Sequence, residues 1–237
     1  MQRILITGSN RGIGLELARR YVERGEQVIA TCRQPDAASE LQALTQQHPD
    51  RVTVLALDVA STDSIHASYQ AVRAQVNGLD ILINNAAISP PAQQQALGQI
   101  EQDSAMEVFR VNTVGPLLMA QRYADLLRDG KNPRLINVTS RLGSLGHRYQ
   151  QRSAGSYLYN ASKATLNMFS LSLAFDLERQ GIITVMVHPG WVRTDMGGRG
   201  ASLTVAESVS GLLPLIDGLT RNDIGRFYNW NGSELPW

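Results

Sequence analysis

The chain has 237 residues, with 22 Lys and Arg against 21 Asp and Glu, so its net charge is +1 and it has no basic stripe for a nucleic acid. Its longest apolar runs have the length of strands rather than of bilayer-spanning helices, and a strand predicted from residue 3 leaves no room for a signal peptide. One cysteine and four dispersed histidines give no metal-ligand spacing, so we expect a soluble, metal-free protein of the cytoplasm.

Apolar and β-branched runs alternate with helical patterns along the chain. Strands that alternate with helices in this way predict right-handed crossovers and a parallel sheet covered on both faces. The expected fold is therefore α/β, a single doubly wound domain over residues 1–237 with a seven-stranded parallel sheet. We expect strands at 3–7, 27–32, 52–58, 79–84, 134–140, 183–188 and 225–229, and helices near 12–24, 36–47, 62–76, 101–128, 157–179 and 204–218.

A glycine-rich turn lies between the first predicted strand and the first predicted helix. It runs from Thr7 to Gly14 and contains the pattern Gly8-x3-Gly12-x-Gly14. Glycines let backbone N–H groups approach a pyrophosphate, and the helix dipole favours its negative charge. Glycines also mark ordinary strand-to-helix turns, but the order of strand, turn and helix favours a nucleotide site here.

Three loops follow predicted strands and are expected to surround that site. Residues 89–97 are rich in Pro and Gln, residues 141–156 contain three glycines, and residues 197–200 read Gly-Gly-Arg-Gly. A doubly wound sheet binds its ligands at the carboxyl ends of its strands. Polar residues of the long loop 141–156 fit either substrate contacts or an ordinary solvated loop.

Tyr159 and Lys163 are four residues apart in a predicted helix, which places them one turn apart on the same face. Such a pair also occurs on ordinary helix surfaces, so its surroundings decide its meaning. An ammonium beside a phenol favours the phenolate, and we expect Lys163 to lower the pKa of Tyr159 toward neutrality. Tyr157 lacks this spacing and is assigned to packing or to a substrate wall.

Together with these two features, further motifs make residues 3–237 resemble the short-chain dehydrogenase/reductase family. Leu57-Asp58-Val59 resembles its adenine-contact motif, and Asn84 to Ala87 resembles its Asn-Asn-Ala-Gly with Ala87 in place of the glycine. Ser140 fits its serine, and Asn112 fits its asparagine. His188 to Thr194 resembles the nicotinamide segment, and the chain ending resembles the carbonyl reductase, sniffer and C-factor-like group.

The resemblance implies a Rossmann domain with a catalytic set in which Tyr159 protonates a substrate oxygen and Ser140 donates a hydrogen bond to it. Lys163 would hold the nicotinamide ribose, and Asn112 would anchor a water near it. The implied catalytic residues are Asn112, Ser140, Tyr159 and Lys163. The implied cofactor contacts are Gly8, Ser9, Asn10, Arg11, Gly12, Ile13, Gly14, Arg33, Asp58, Val59, Asn85, Ala86, Ala87, Tyr159, Lys163, Pro189, Gly190, Val192 and Thr194.

The choice of dinucleotide depends on the end of the second predicted strand. Relatives that select NAD carry an acidic residue there, which binds the adenosine ribose. Cys32 occupies that position, Arg33 follows it, and Arg11 lies in the glycine-rich turn. Either arginine alone fits a solvated surface residue, but two guanidinium groups and no acid favour the extra phosphate of NADP(H).

Three functions fit these motifs. We favour an NADPH-dependent reductase that converts a small or medium aldehyde or ketone substrate into an alcohol. A dinucleotide-binding signalling protein with incidental turnover is the alternative, and a sugar-nucleotide epimerase or dehydratase is a third. The apolar circumference of the helix at 157–179 predicts a homodimer, with a tetramer as the other option.

Overall fold

A single parallel sheet runs through the computed structural model, which describes residues 1–152 and 155–237. Its strand order is β3-β2-β1-β4-β5-β6-β7, and all neighbouring strands are parallel. The predicted seven-stranded doubly wound α/β fold is confirmed. The strands are β1 (Arg3–Thr7), β2 (Gln27–Cys32), β3 (Val52–Ala56), β4 (Ile81–Asn84), β5 (Arg134–Val138), β6 (Ile183–His188) and β7 (Phe227–Asn229).

Helices cover both faces of the sheet, because both faces of its strands are apolar. The described helices are α1 (Gly12–Glu23), α2 (Ser39–Gln47), α3 (Thr62–Arg73), α4 (Gln102–Phe109), α5 (Gly115–Arg128), α6 (Leu145–Gln151), α7 (Tyr157–Glu178) and α8 (Val205–Gly218). Side chains of α1, α2 and α8 form one buried cluster with the sheet, and side chains of α3, α5 and α7 form a second. Within residues 1–152 and 155–237, none of the helices has the length and apolarity to cross a membrane.

The direction of winding reverses between β1 and β4, which opens a crevice at the carboxyl ends of these strands. Thr7, the last residue of β1, ties the crevice together. Its Oγ1 accepts hydrogen bonds from the backbone N–H groups of Asn85 and Ala86, each at 3.0 Å. The Asn85 side chain donates in turn to the carbonyl of Thr7, 2.9 Å away. These hydrogen bonds therefore fix the end of β1 against the segment that follows β4.

Two predicted elements differ from the structure. The helix predicted at 101–128 is divided into α4 and α5 by a π-helical segment, Arg110–Val114. The loop predicted at 141–156 contains a 3₁₀ turn and then α6, while residues 153–154 of that loop lie outside the described residues. Helix α6 begins after Ser144, whose side chain accepts a hydrogen bond from the backbone N–H of His147 at 3.0 Å. A helix of seven residues with one glycine and mostly polar side chains has too little periodicity to be predicted.

Other boundaries shift by a few residues. Strands predicted at 52–58 and 134–140 end at Ala56 and Val138, and the last strand begins at Phe227. The strand predicted from residue 79 begins at Ile81, and the side chain of the preceding Asp80 binds backbone groups at this end of the sheet. Its carboxylate accepts hydrogen bonds from the backbone N–H groups of Arg3 at 2.7 Å and Lys131 at 2.6 Å.

Candidate active site

The glycine-rich turn folds so that the chain passes close to the segment after β4. Gly8 has φ +65°, and a Cβ there would lie 2.9 Å from the Cα of Ala86, nearer than real Cβ contacts come. Gly12 has φ +56°, and a Cβ there would lie 3.3 Å from Cγ2 of Thr194. Both positions therefore require glycine, for conformation and for close approach. The turn leads directly into α1, whose first residues line the crevice.

A cleft of about 440 Å³ opens at this edge of the sheet, within the roughly 300–1,000 Å³ of small-molecule sites. It joins the glycine-rich turn to the predicted catalytic pair, which lies on α7. Of the predicted site residues, its lining includes Gly8, Asn10, Arg11, Gly12, Ile13, Arg33, Asp58, Val59, Asn85, Ala86, Ala87, Tyr159, Lys163, Pro189 and Thr194.

Four of the predicted cofactor contacts do not line this cleft. Ser9 is fully buried and donates its hydroxyl to the carbonyl of Ile6 at 2.7 Å. Gly14 packs against Gly8 and Asn85, and Gly190 packs against Leu203 and Trp230. Val192 is buried beside Leu203, with which it forms an isolated bridge. These four residues shape the turns on which the lining residues sit.

Tyr159 and Lys163 both line the cleft, and their spacing places them one turn apart on α7. Ser140 lies close enough to Tyr159 for its hydroxyl to lower the pKa of the phenol. Lys163 is buried and donates from Nζ to the carbonyl of Val138 at 2.9 Å, and Nζ lies 5.9 Å from the centre of the Tyr159 ring. Tyr157 is 44% exposed on the outside. The structure therefore brings Ser140, Tyr159 and Lys163 together and leaves Tyr157 apart.

The pKa of Tyr159 does not shift in the predicted direction. Burial raises it to about 12, against the hydrogen bond from Ser140, which lowers it. Burial also lowers the pKa of Lys163 to about 7. The prediction that Lys163 lowers the Tyr159 pKa is wrong for this structure, because both groups lose water and desolvation penalises each charged form. A tyrosine that stays protonated at neutral pH is suited to donate a proton.

Asn112 lies in the π-helical segment and is fully buried. Its side-chain oxygen accepts from the backbone N–H of Ile88 at 2.8 Å. Its amide donates to the Ile88 carbonyl at 2.8 Å and to the hydroxyl of Ser162 at 3.1 Å. Both amide hydrogens are thus used within the protein, and Asn112 joins a wall of the cleft to the helix residue that precedes Lys163.

Gln95 is a site residue that the sequence did not reveal. It is 1% exposed, although it lies in a polar stretch predicted to be a surface loop. Its side-chain oxygen accepts a hydrogen bond from the backbone N–H of Tyr159 at 2.9 Å. Its amide donates to the carbonyl of Pro90 at 2.6 Å. Gln95 therefore holds the first turn of α7, which carries the tyrosine.

The two arginines expected at the adenosine end both line the cleft, and Cys32 lies beside them. Arg33 is exposed and has no ion pair with any described residue. Arg11 instead forms an ion pair with Asp195 at 2.6 Å, with both side chains largely exposed. Asp195 was not among the predicted site residues, and its partner Arg11 is 184 positions away in the chain.

No metal-binding group of three or more His, Cys, Asp or Glu occurs in the described part of the chain. Cys32 is a free, buried thiol.

Comparisons with known proteins show which family this chain belongs to. The family model of short chain dehydrogenases matches residues 2–202. Among curated proteins, the C-signal of Myxococcus xanthus is 43% identical over 159 residues, which are 67% of this chain and 93% of that protein.

Solved structures resemble the whole chain. The NADPH-bound carbonyl reductase from chicken fatty liver has a TM-score of 0.93 and 35% identity, covering 100% of this chain and 99% of that one. The carbonyl reductase Sniffer of D. melanogaster has a TM-score of 0.93 and 32% identity, covering 100% of both chains. With its fold, its glycine-rich turn and its Tyr159–Lys163 pair, the chain belongs to the short-chain dehydrogenase family.

Proposed function

We propose that this protein is an NADPH-dependent carbonyl reductase acting on small or medium aldehydes or ketones. One observation carries the proposal: Tyr159, whose phenol is influenced by the nearby hydroxyl of Ser140, lines the same cleft as the glycine-rich turn. A protein that only binds a dinucleotide has no need for a proton donor and a second hydroxyl in its nucleotide site.

The lining of the cleft fits NADP(H). When bound, this cofactor supplies a hydride to a carbonyl carbon. Gly12 lets the backbone approach a pyrophosphate, and Arg11 and Arg33 can pair with the extra phosphate. Cys32 stands where an acid would repel that phosphate. The relative from chicken fatty liver, which has the same fold, was crystallised with NADPH.

The residues of the chain then perform the proton chemistry. Ser140 donates a hydrogen bond to the substrate oxygen, which stabilises the negative charge as it develops. Tyr159 transfers its proton to that oxygen, so the carbonyl becomes an alcohol, and Tyr159 regains a proton from water. Lys163 lies beside the phenol and would contact the nicotinamide ribose. Asn112 keeps the neighbouring turn of α7 in place through Ser162.

The test is a panel of aldehydes and ketones, with NADPH oxidation followed by its near-ultraviolet absorbance. We expect saturable turnover with at least one class of carbonyl compound and formation of the matching alcohol. NADPH binding without turnover of any carbonyl would refute a reductase.

A signalling role is a second candidate, which the identity with C-signal supports. In that case dinucleotide binding, rather than turnover, would be the property that matters. In cells that lack this protein, a Tyr159→Phe variant that binds NADPH would restore the wild-type phenotype if the role is signalling, and would fail if the role is reduction.

We further propose a cytoplasmic homodimer whose ligands are small molecules, with no nucleic-acid or membrane partner. The free thiol of Cys32 fits a reducing compartment. Exposed apolar side chains on α7, Met168 at 63% and Phe175 at 58%, support a surface covered by a second copy.

A further inference from the structure

Polar side chains join α7 to the end of β5, where an apolar contact would be the ordinary packing. Three of them lie along one face of α7 and are almost completely buried: Lys163, Asn167 and Ser170 are 2%, 4% and 0% exposed. Side chains three or four positions apart share a helix face, which explains the row. Each binds one residue at or just after the end of β5, in the order Val138, Thr139 and Asn137. We call these six residues the polar seam.

Asn167 holds the chain on both sides of Ser140. Its Oδ1 accepts a hydrogen bond from Oγ1 of Thr139 at 2.7 Å, and Thr139 directly precedes the serine. Its Nδ2 donates to the carbonyl of Gly143, which ends the 3₁₀ turn after the serine, at the longer distance of 3.4 Å. One side chain of α7 therefore contacts both ends of the segment that carries the serine hydroxyl.

The turn after Ser140 determines where its hydroxyl points. The Oγ of Ser140 accepts a hydrogen bond from the backbone N–H of Leu142 at 3.1 Å, and its carbonyl accepts from the N–H of Gly143 at 2.8 Å. A serine hydroxyl has a single hydrogen, which the bond from Leu142 leaves for another acceptor. A Cβ at Gly143 would lie 2.6 Å from the backbone carbonyl carbon of Lys163, so the turn packs directly against α7. The direction in which Ser140 donates therefore depends on the position of this turn.

Asn167 and Thr139 restrict each other because both side chains are buried. A buried amide or hydroxyl is unfavourable unless it is hydrogen-bonded. The Thr139 hydroxyl has one further acceptor, the carbonyl of Lys163 at 3.4 Å, so its shorter bond to Asn167 dominates. Buried polar groups that are fully satisfied favour one unique arrangement. The pair therefore fixes Thr139, and with it Ser140, against α7.

We propose that Asn167 is a positioning residue for carbonyl reduction: through Thr139 and Gly143 it fixes the backbone on both sides of Ser140, so that the serine hydroxyl is aimed at the substrate oxygen. This inference rests on the reductase function proposed above. Asn167 does not line the cleft, so it acts through the serine rather than on the substrate.

The first test is Asn167→Leu, which keeps a side chain of similar length and branching but makes neither hydrogen bond. We expect kcat to fall by about tenfold to a hundredfold, because a small displacement of a catalytic group has effects of that size. NADPH affinity should change little, since the hydrogen bond from Ser140 is strongest in the transition state. Turnover of para-nitrobenzaldehyde, or of the panel compound reduced fastest if that aldehyde is not reduced, and a fluorescence titration with NADPH measure the two quantities.

Ser170→Ala is the matched control. It removes a buried hydroxyl of the same seam, which accepts from the Asn137 side chain at 2.8 Å. Neither Ser170 nor Asn137 lines the cleft or touches Ser140. This variant should lose stability in denaturant unfolding while its kcat stays near that of the unmodified protein.

A second background separates positioning of Ser140 from general packing. Ser140→Ala should itself lower kcat by about 10²–10³-fold, the usual effect of removing one donor to a developing oxyanion. Adding Asn167→Leu to it should cause little further loss, because the group that Asn167 positions is already absent. A residue that matters only for packing would cause the same loss in both backgrounds. Single-turnover reduction with enzyme in excess measures these low rates.

The outcomes separate this inference from the proposed function. If the unmodified protein reduces no carbonyl compound, the reductase fails and the inference fails with it. If it is active, a normal kcat in Asn167→Leu, an equal loss in Ser170→Ala, or a loss that persists fully in the Ser140→Ala background would overturn the inference alone. Should Ser140→Ala have no measurable turnover, the comparison with Ser170→Ala decides.

Should Asn167→Leu not fold, Thr139→Val replaces it, because it keeps the shape of the side chain and deletes only the hydroxyl that binds Asn167. A lowered kcat with unchanged NADPH affinity would support the inference. A normal kcat in this variant would overturn it.

Discussion

Gln95 binds the backbone N–H of Tyr159 at 2.9 Å, although the two residues are 64 positions apart in the chain. The first turn of a helix has N–H groups without partners in the helix, and a side chain from elsewhere can satisfy one of them. Here that side chain is itself held by the carbonyl of Pro90 at 2.6 Å. The loop after β4 therefore determines where the proposed proton donor stands.

Replacing Gln95 by alanine should misplace Tyr159. We expect kcat to fall by about tenfold to a hundredfold, because a small displacement of a reacting group has effects of that size. NADPH affinity should change little, since the adenosine end of the cleft is distant. Steady-state kinetics and a fluorescence titration with NADPH would measure the two quantities.

Gln93→Ala is the matched control, because Gln93 lies in the same short 3₁₀ turn but is exposed. Its kcat should equal that of the unmodified protein. An equal loss in both variants would show that the turn as a whole, rather than the Gln95 bond, is responsible.

The proton donor is tested by Tyr159→Phe, which keeps the ring and deletes the hydroxyl. We expect kcat to fall by roughly 10²–10⁴-fold, the usual contribution of general acid catalysis. NADPH binding should remain. Tyr157→Phe serves as the control and should keep near-normal turnover, since Tyr157 points outward and is 44% exposed. The reverse pattern would transfer the role to Tyr157.

The preference for NADPH over NADH should depend on the charge of the side chains at the end of β2. Arg33→Ala should weaken NADPH binding about tenfold or more while NADH binding changes little, because only NADPH has the extra phosphate. Cys32→Asp should move the preference toward NADH by adding a ribose acceptor that repels the phosphate. Values of kcat/KM for both cofactors measure this, and similar values in the unmodified protein would exclude the assigned role of Arg33.

Stability should depend on pH through Asp80. Burial raises the pKa of this carboxyl, but hydrogen bonds from Arg3 and from the Lys131 backbone outweigh it and hold the pKa below its ordinary value. A folded-state pKa below the unfolded value of about 3.9 stabilises the fold above about pH 4, and this stabilisation is lost as pH falls further. Asp80→Asn should therefore lower the free energy of unfolding at neutral pH by about 1.5–3 kcal/mol.

Denaturant unfolding at several pH values would measure this effect. The difference between Asp80→Asn and the unmodified protein should shrink as the solution becomes more acid. Asp129→Asn is the control, because the Asp129 side chain is 48% exposed and pairs with Arg128 at the surface. Its stability should stay close to normal.

Assembly can be tested on the exposed face of α7. We expect a homodimer at micromolar concentration by light scattering. Phe175→Glu should give a monomer, because a carboxylate in an apolar interface loses its water without gaining a partner. A monomer in the unmodified protein would remove the proposed homodimer.

The sheet and the cofactor turn could be predicted because their signals are local. A strand buried on both faces is apolar within a short window, and glycine reveals where backbone must approach closely. Tyr159 and Lys163 were identified in the same way, since one helix sets their spacing. The order of the elements then supplied the doubly wound topology, which the structure confirms.

Other features depend on contacts between distant residues. Helix α6 was predicted as loop because its own residues favour no structure strongly, and it is held by the Ser144 cap and by a bond from Gly146 to the Trp237 carbonyl at 2.6 Å. The π-helical segment that separates α4 from α5 contains Asn112. The hydrogen-bond partners of Asn112 are Ile88, on the loop after β4, and Ser162, on α7.

The protonation of the proposed catalytic pair was decided by tertiary structure alone. The sequence places the ammonium of Lys163 one helical turn from the phenol of Tyr159, and this spacing predicted a lowered pKa for Tyr159. The fold buries Lys163 and part of Tyr159, and the loss of water raises the pKa of Tyr159 and lowers that of Lys163. The sequence determined which groups meet, because helix spacing is fixed, whereas their charge depends on solvent exclusion by residues from many parts of the chain.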